Sequence, residues 1–342
     1  MLRRYSASQR FRRSVVDTLE LSEGYLLMAA VMLAATFILL LLGASPPTET
    51  HKSVVITIPK RASRQAIATI LRGRELIRSR TAFNIITHVG YEGRGFVPGT
   101  YTMCTDMSLF RVLDKVISGD VAQTSITIPE GFTLAQIAER LGHKEITDSS
   151  TFLQLAENNA KEFGVNSPTG SLEGYLFPET YTFGLGLSAR QVIQTMVDTF
   201  DSRVVKPNRS KLSDPDELHK MVTIASLVER EARVGQDRPL IASVITNRLR
   251  TNMRLQIDAT VLYAMKLHKS RVLYRDLDTE SAYNTYRNCG LPPGPIANPG
   301  LASIEAALNP ATTDYLYYVA QPDGSHKFAR TFQEHIANRP GR

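Results

Sequence analysis

The pattern of hydrophobic and polar positions separates one long apolar run from a mixed remainder. Tyr25 to Ala44 is almost continuously apolar, and no charged residue lies between Gly24 and Thr48. At 1.5 Å per residue, about 20 helical residues span the roughly 30 Å hydrocarbon core of a bilayer. A cleaved signal peptide usually has an apolar region of only about 7–15 residues. The pattern therefore favours a retained transmembrane anchor at residues 25–45.

Charges on one side of this run indicate its orientation. The residues before it include five arginines: Arg3, Arg4, Arg10, Arg12 and Arg13. Since basic flanks stay on the cytoplasmic side, residues 1–24 are predicted to be a basic cytoplasmic tail. The residues after Ser45 are then on the outer or periplasmic face. We expect a single-pass protein of the cell (inner) membrane.

Beyond the anchor, short strand and helix patterns alternate. A β-branched run at 54–58 predicts a strand, and apolar spacing predicts helices near 66–71 and 81–89. A second strand is expected near 100–103, followed by a helix that ends at Gly119. These elements predict a small α+β module over residues 52–128. No internal repeat is evident from the sequence.

The remaining residues predict a second, larger domain of mixed type. Strand 124–129 and helix 134–141 precede a loop-rich region, and two strong helical patterns follow at about 215–233 and 239–250. Residues 315–319 predict a strand, with Phe328 in a pairing strand beyond a Pro-Asp-Gly turn. We therefore expect an α+β fold, with a domain at 129–342.

Composition and charge narrow the class of partner. The chain has 342 residues, 21% of them charged, with 40 Lys+Arg against 33 Asp+Glu. These values exclude wholesale disorder and a polytopic membrane protein. The net charge of +7 favours an acidic partner. An outward-facing domain without a nucleic-acid-binding motif points to the cell wall or anionic lipids, and not to nucleic acid.

Metal and cofactor sites are not expected. Cys104 and Cys289 are far apart and lack a Cys-x-x-Cys spacing, and His326 has no second ligand at metal-binding spacing. The sequence predicts no metal and no cofactor.

Three stretches combine carboxylates, amides and rigid turns. They are residues 172–181, residues 224–232, and residues 255–263 with the segment 284–296 that follows. In the second stretch an apolar helical stripe is formed by Met221, Ala225, Val228 and Ala232. Glu229 and Glu231 flank this stripe on opposite sides, and periodicity does not decide which of them faces a pocket.

Six ordered segments resemble the MltG (YceG-like) family of endolytic murein transglycosylases. They are LEGYLFPETY, IASLVERE, RPLIASVITNRLR, LQIDATVLY, YNTYRNCGLPPGPIANPG and YLYYVAQPDGSHKF. The resemblance implies a membrane-anchored enzyme with a LysM-like subdomain, here 52–128, ahead of a YceG-like catalytic domain, here 129–342. It also implies that the Glu of the SLVE segment, Glu229, is catalytic.

The chain departs from the family pattern at three places. The chain has Asp258-Ala259-Thr260 where the family usually has Asp-Pro-Thr. It has Glu231-Ala232 where the family often has Glu-Thr, and Cys289 where the family often has Thr. The polar groups of the expected site are retained.

The resemblance implies cleavage of the β-1,4 bond between N-acetylmuramic acid and N-acetylglucosamine within nascent glycan strands. Glu229 would protonate the leaving oxygen and then accept the proton of the muramic acid 6-hydroxyl, which closes a 1,6-anhydro ring. The expected role is the termination of glycan elongation. Peptidoglycan strands are the expected partner, with peptidoglycan synthases as further candidates.

The substrate-binding candidates are side chains that can orient amide and hydroxyl groups of amino sugars. They are Glu173, Gln256, Asp258, Asn284 and Tyr286. For Glu173, in its ordered aromatic turn, a purely structural role is the alternative.

Two other functions are compatible with the residues. A lysozyme-like muramidase would need a water and a second carboxylate, for which Asp258 or Glu173 is available. A non-catalytic wall-binding scaffold would use only the anchor and the 52–128 module.

Overall fold

The computed structural model describes residues 7–266 and 272–340, with side chains from residue 25 onward, and divides the chain into units 1–122 and 123–342. The first unit contains α1 (Ala7–Ala44), β1 (Ser53–Ile58), α2 (Arg64–Gly73), α3 (Arg80–Gly90), β2 (Gly99–Cys104) and α4 (Leu109–Ser118). The second contains β3 (Gln123–Thr127), α5 (Leu134–His143), α6 (Ser149–Asn158), β4 (Thr180–Gly184), α7 (Ala189–Phe200), α8 (Pro215–Glu231), α9 (Arg238–Arg250), α10 (Asp258–Ala264), α11 (Leu301–Leu308), β5 (Tyr317–Ala320), β6 (His326–Ala329) and α12 (Phe332–Ala337). The fold is mixed α+β.

Helix α1 contains the apolar run found in the sequence. Residues Tyr25–Ala44 are long and apolar enough to cross a bilayer, and only 6% of that span is buried. The helix begins at Ala7, so the described part of the predicted basic tail is helical as well. Arg3 and Arg4 of that tail lie outside the described residues.

The rest of the first unit is a two-stranded sheet packed against helices. β1 and β2 are antiparallel, with Ile56 opposite Tyr101. Alternation places Ile56 and Ile58 on the buried face of β1, where they meet the apolar faces of α2, α3 and α4. Ser63, Ser79 and Ser108 cap these three helices with their side chains.

The boundary between the units differs from the expectation at 128. Strand β3, whose residues overlap the end of the predicted 52–128 module, pairs antiparallel with β4, and Ile126 lies opposite Tyr181. The second unit therefore begins at Gln123. The two paired strands are more than 50 residues apart in sequence. The hydrophobic pattern of one strand shows which face is buried but does not show which distant strand it pairs with.

Helix α8 packs against two hydrophobic core clusters of the second unit. Residues 221–228 are all buried, so the helix has apolar contacts on more than the single stripe that periodicity predicts. Met221, Val222 and Ala225 belong to one core cluster, and Leu227 and Val228 belong to another. Because cores lie on both sides of α8, its last turn carries polar groups toward two different environments.

The chain ends in a hairpin and a short helix. β5 and β6 are antiparallel, with Tyr318 opposite Phe328. The expected pairing of an aromatic strand with the segment of Phe328 is confirmed, and the first strand begins two residues later than predicted.

Candidate active site

Two carboxylates of the last turn of α8 lie on different sides of the helix. The exposed fraction of the Glu229 side chain is 8%, and Glu231 is partly buried. At about 100° per residue, side chains two residues apart point in nearly opposite directions. The helix therefore places the two carboxyl groups in separate clusters.

Glu229 contacts the start of α11. Its Oε2 atom accepts hydrogen bonds from the backbone N–H of Gly300 at 3.1 Å and from the hydroxyl of Ser303 at 2.7 Å. Its Oε1 atom lies 4.0 Å from the guanidinium of Arg238, whose Nε donates to Ser303 Oγ at 3.1 Å. These contacts join the last turn of α8 to the start of α11.

A second carboxylate approaches this cluster from the turn between β3 and α5. A Cβ atom added to Gly300 would lie only 1.9 Å from Oε1 of Glu130, so the carboxyl of Glu130 packs directly on that glycine. Partial burial raises the pKa of Glu130, the charge of Glu229 raises it further, and Arg238 opposes both. Our sequence analysis did not single out Glu130, because a Glu before a Gly in a turn is usually solvated.

Glu231 belongs to a cluster that involves the C-terminal hairpin and α10. The hydroxyl of Tyr318 on β5 donates to Oε2 of Glu231 at 3.0 Å. Burial raises the pKa of Glu231; the Tyr318 hydrogen bond lowers it, the charge of Asp258 raises it, and His326 lowers it. A carboxyl group whose pKa is raised retains its proton closer to neutral pH, as a general acid requires.

Asp258 and Tyr286 are part of the same cluster. The Tyr286 hydroxyl donates to Oδ1 of Asp258 at 2.5 Å. Burial and Asp258 together raise the pKa of Tyr286 to a value at which the phenol stays protonated, and the charge of Glu231 also acts on it. Thr285 holds this loop against α10, since its Oγ1 accepts from the backbone N–H of Ile257 at 3.0 Å.

His326 supports the hairpin side of the cluster. Its Nδ1 lies 2.9 Å from Oδ2 of Asp237, which also accepts the backbone N–H of His326 at 2.8 Å. The His326 side chain is 4% exposed, and its ring meets the Tyr318 ring edge-on at 5.5 Å. The Asp237–His326 pair therefore fixes the ring of Tyr318, whose hydroxyl contacts Glu231.

The other predicted substrate residues have different surroundings. Gln256 is exposed next to Asp258, with a left-handed backbone at φ 54° and its N–H donating to Thr285 O at 3.1 Å. Asn284 is fully buried, and its amide donates to Leu277 O and Thr279 O, both at 2.8 Å. The side-chain amide of Asn284 is thus engaged in shaping the loop that presents Tyr286.

Glu173 is buried in a hydrogen-bond network that includes Tyr263 of α10 and Asn298. Its exposed fraction is 4%, and its carboxylate accepts from Leu134 N at 3.2 Å, Tyr263 Oη at 3.2 Å and Asn298 Nδ2 at 3.0 Å. Burial raises the pKa of Glu173 to about 8 against the opposing effect of these hydrogen bonds. The Oδ1 atom of Asn298 also accepts from Gly174 N at 3.0 Å.

The structure thus groups the predicted residues unevenly. Asp258 and Tyr286 lie with Glu231, whereas among the described residues Glu229 interacts with Glu130, Arg238 and Ser303. Periodicity could not have found Tyr318 as the partner of Glu231, because the two residues meet only through tertiary packing.

Possible metal ligands meet within the first unit. Within the described residues, ligand atoms of His51, Cys104 and Asp106 lie within 4.8 Å of one another on an exposed surface. His51 Nδ1 is 2.9 Å from Asp106 Oδ2. Cys104 and Cys289 are both free thiols.

Comparisons with known proteins show the family to which this chain is similar. The model of the YceG-like family matches residues 56–340. A crystal structure of a YceG-like protein from Listeria monocytogenes has 36% identity and a TM-score of 0.59, covering 85% of this chain and 100% of that one.

Two relatives carry the same name. The chain is 40% identical over 304 residues to the endolytic murein transglycosylase of Bacillus subtilis (strain 168), with 84% of each covered. It is 32% identical over 321 residues to the endolytic murein transglycosylase of Streptococcus pneumoniae serotype 2 (strain D39), covering 84% of this chain and 58% of that protein. The chain belongs to the YceG-like family.

Proposed function

We propose that this chain is an endolytic murein transglycosylase that cuts within peptidoglycan strands and leaves 1,6-anhydro-N-acetylmuramic acid ends. Two relatives named for that activity support the substrate and the reaction. A carboxyl group whose pKa is raised, next to aromatic hydroxyls and a second carboxylate, supports the chemistry. Ending glycan elongation is the role that follows from cuts inside nascent strands.

The observation that carries the assignment of the acid is the environment of Glu231. Its carboxyl is partly buried, its pKa is raised, and Asp258 and Tyr286 lie beside it. Glu229, which the family resemblance implied, accepts hydrogen bonds from Gly300 N and Ser303 Oγ and lies near Arg238. We therefore place the general acid at Glu231 and keep Glu229 as the rival candidate.

The reaction needs one carboxyl group twice. Glu231 gives its proton to the leaving oxygen of the N-acetylglucosamine as the bond to the anomeric carbon breaks. That anomeric carbon belongs to N-acetylmuramic acid. The 6-hydroxyl oxygen of the same sugar then bonds to it, and the hydroxyl proton passes to the Glu231 carboxylate. The acid is regenerated, and no water is consumed. Because the attacking hydroxyl is part of the substrate, its proximity replaces a second nucleophile.

The remaining candidate residues fall into two groups: those that contact the sugar and those that hold the site in position. We assign sugar contact to Gln256, Asp258 and Tyr286, which lie at or near the exposed end of α10. Asn284 and Glu173 act as positioning residues, since their polar atoms bond within the protein. The phenol of Tyr286 and the carboxylate of Asp258 supply a donor and an acceptor for an acetamido or hydroxyl group.

A muramidase is the second candidate because Asp258 lies near Glu231. In that case Asp258 would activate a water or stabilise the cation, and the product would carry a reducing muramic acid end. The test is mass spectrometry of uncrosslinked strands treated with the purified chain. We expect anhydro ends from internal cuts, absent with Glu231→Gln. Reducing ends would show the muramidase, and intact strands would favour the scaffold.

We also propose that Tyr25–Ala44 anchors the chain, with the N-terminus in the cytoplasm and the second unit outside. Support comes from the length and exposure of this helix and from the arginines before it. The two-stranded sheet with α2 and α3 would be the LysM-like subdomain, and peptidoglycan synthases would be partners. A reporter that is active only outside the cytoplasm, fused after Arg342, should give a signal. Silence would reject this topology.

A further inference from the structure

Three side chains with metal-binding atoms meet on the outward face of the sheet in the first unit. The Nε2 atom of His51 lies 3.5 Å from Sγ of Cys104, and the Nδ1 atom of the same ring lies 2.9 Å from Oδ2 of Asp106. Spacing along the chain did not indicate this cluster, because His51 precedes Cys104 by 53 residues. The pairing of β1 with β2 brings the three residues together.

The register of the sheet explains why the three side chains share a face. Cys104 lies opposite Ser53 at the end of the ladder. The backbone N–H of Thr105 donates at 3.1 Å to the carbonyl of the residue that precedes Ser53, which continues the pairing. In this register His51 lies across from Asp106. Since alternate residues of a strand point to the same face, Cys104 and Asp106 both point away from the core, into which the intervening Thr105 is buried.

The backbone around the cluster is held by one buried side chain. The exposed fraction of Thr105 is 2%, and its hydroxyl donates to Thr50 O at 2.7 Å and accepts from Lys52 N at 3.3 Å. These bonds fix the residues on both sides of His51. The cluster therefore has an ordered backbone before a ligand binds, which reduces the entropy lost on binding.

The donor atoms and their distances fit Zn²⁺. Thiolate sulfur and imidazole nitrogen are ligands that Zn²⁺ prefers, whereas Mg²⁺ and Ca²⁺ prefer oxygen. Tetrahedral Zn²⁺, with bonds of about 2.3 Å to sulfur and about 2.0–2.1 Å to nitrogen, holds those two atoms about 3.5–3.6 Å apart. The distance between Cys104 Sγ and His51 Nε2 is 3.5 Å. A metal-binding His usually donates its other ring N–H to a carboxylate, and Asp106 is placed to accept it.

We propose that this cluster is a Zn²⁺ site in which Cys104 and His51 ligate the metal and Asp106 orients the imidazole. Bound Zn²⁺ would fasten the segment that follows α1 to the end of β2. Two protein ligands leave further coordination positions for water or for a group from another molecule. Zn²⁺ binding here does not depend on strand cleavage.

Alkylation by iodoacetamide tests this site in the full chain in detergent. Cys104 and Cys289 are both free thiols, so Cys289 is an internal control. Mass spectrometry measures the alkylation rate at each thiol. At a Zn²⁺ concentration about ten times the Kd, alkylation of Cys104 should slow about tenfold, because only the metal-free thiol is available to react. The rate at Cys289 should stay unchanged, and Mg²⁺ should protect neither thiol.

Matched variants show whether the imidazole and the carboxylate take part. His51→Ala should abolish the protection of Cys104, and His143→Ala should not, since the exposed fractions of these two histidine side chains are similar, at 71% and 77%. Asp106→Asn should weaken Zn²⁺ binding by about 10–100-fold. With Co²⁺ in place of Zn²⁺, a thiolate-to-metal absorption band should appear in Cys289→Ser and be lost in Cys104→Ser.

Other results would overturn the Zn²⁺ site. Equal protection of Cys104 and Cys289 would show that Zn²⁺ binds exposed thiols without a built site, and so would protection that survives His51→Ala. A Cys104 that Zn²⁺ does not protect would reject the metal. If that thiol is also alkylated faster than Cys289 in the wild type and loses this advantage in His51→Ala, the cluster is a reactive thiol activated by the imidazole.

Discussion

Glu229 and Glu231 are two residues apart on one helix, yet their surroundings differ. Glu229 receives two hydrogen bonds at the start of α11 and lies near Arg238. Glu231 receives one hydrogen bond from Tyr318 and has a raised pKa. The comparison teaches that two carboxyl groups of one short motif can have entirely different partners, because tertiary packing chooses those partners.

A matched pair of amide substitutions tests the difference between Glu229 and Glu231 most directly. Glu231→Gln should lower strand cleavage by on the order of 10²–10⁴-fold, because the amide neither donates the acidic proton nor accepts one. Glu229→Gln should lower it by less than about tenfold. Release of anhydro-ended fragments measures both variants. A dead Glu229→Gln with an active Glu231→Gln would return the acid to the residue that the family resemblance implied.

Glu173 provides a third carboxyl group, buried in the same unit without an expected chemical step. Its pKa of about 8 lies above the ordinary 4.5, so the folded protein holds this proton where the unfolded chain has lost it. Stability should therefore fall as pH rises from about 4.5 to about 8, by on the order of 5 kcal/mol. Denaturant unfolding of wild type and Glu173→Gln measures this. An unchanged slope in Glu173→Gln would mean that Glu173 is ionised throughout that range.

Ser303→Ala tests whether the contacts of Glu229 serve stability or catalysis. It removes the 2.7 Å hydrogen bond to Glu229 and the contact with Arg238 Nε. We expect a loss of about 2 kcal/mol in the free energy of unfolding, because a hydrogen bond to a buried charge is lost. Strand cleavage at temperatures well below the melting point should stay near normal. A stable but inactive Ser303→Ala would show that the Glu229 cluster takes part in the chemistry.

Tyr318→Phe should have the smallest effect and the most specific signature. The hydroxyl lowers the pKa of Glu231, so its removal should raise that pKa. Since the acid must be protonated, activity falls as pH rises through its pKa, and the falling limb should move to higher pH. We expect a rate loss of about three- to tenfold at the optimum. A pH–rate profile measures both effects, and an unshifted limb would separate Tyr318 from the acid.

Much of the fold followed from local patterns. Helix α8 and helix α9 end within two residues of the predicted bounds, because their apolar spacing and the prolines at their starts are local signals. The boundary at 122/123 did not follow, because β3 is assigned to its unit by pairing with β4. The recurrence of the element order β1-α2-α3-β2-α4 as β3-α5-α6-β4-α7 was also missed, since the two segments share burial and hydrogen bonds at equivalent positions more than identical residues. The longer connection at 159–179, which carries Glu173, further separates the matching elements of the second segment.

By itself, the sequence determined the apolar span at 25–44, the order of most elements, the polar segments around the site and the resemblance to a family. These features depend on composition, hydrophobic period and residue spacing along the chain, which can be observed in the sequence without knowing any tertiary contact. Tertiary structure alone decided that Asp258 and Tyr286 lie with Glu231, and that Glu173 and Asn298 share a buried hydrogen-bond network. Each of these depends on which distant segments exclude water from one another, and that is settled only when the helices and loops pack.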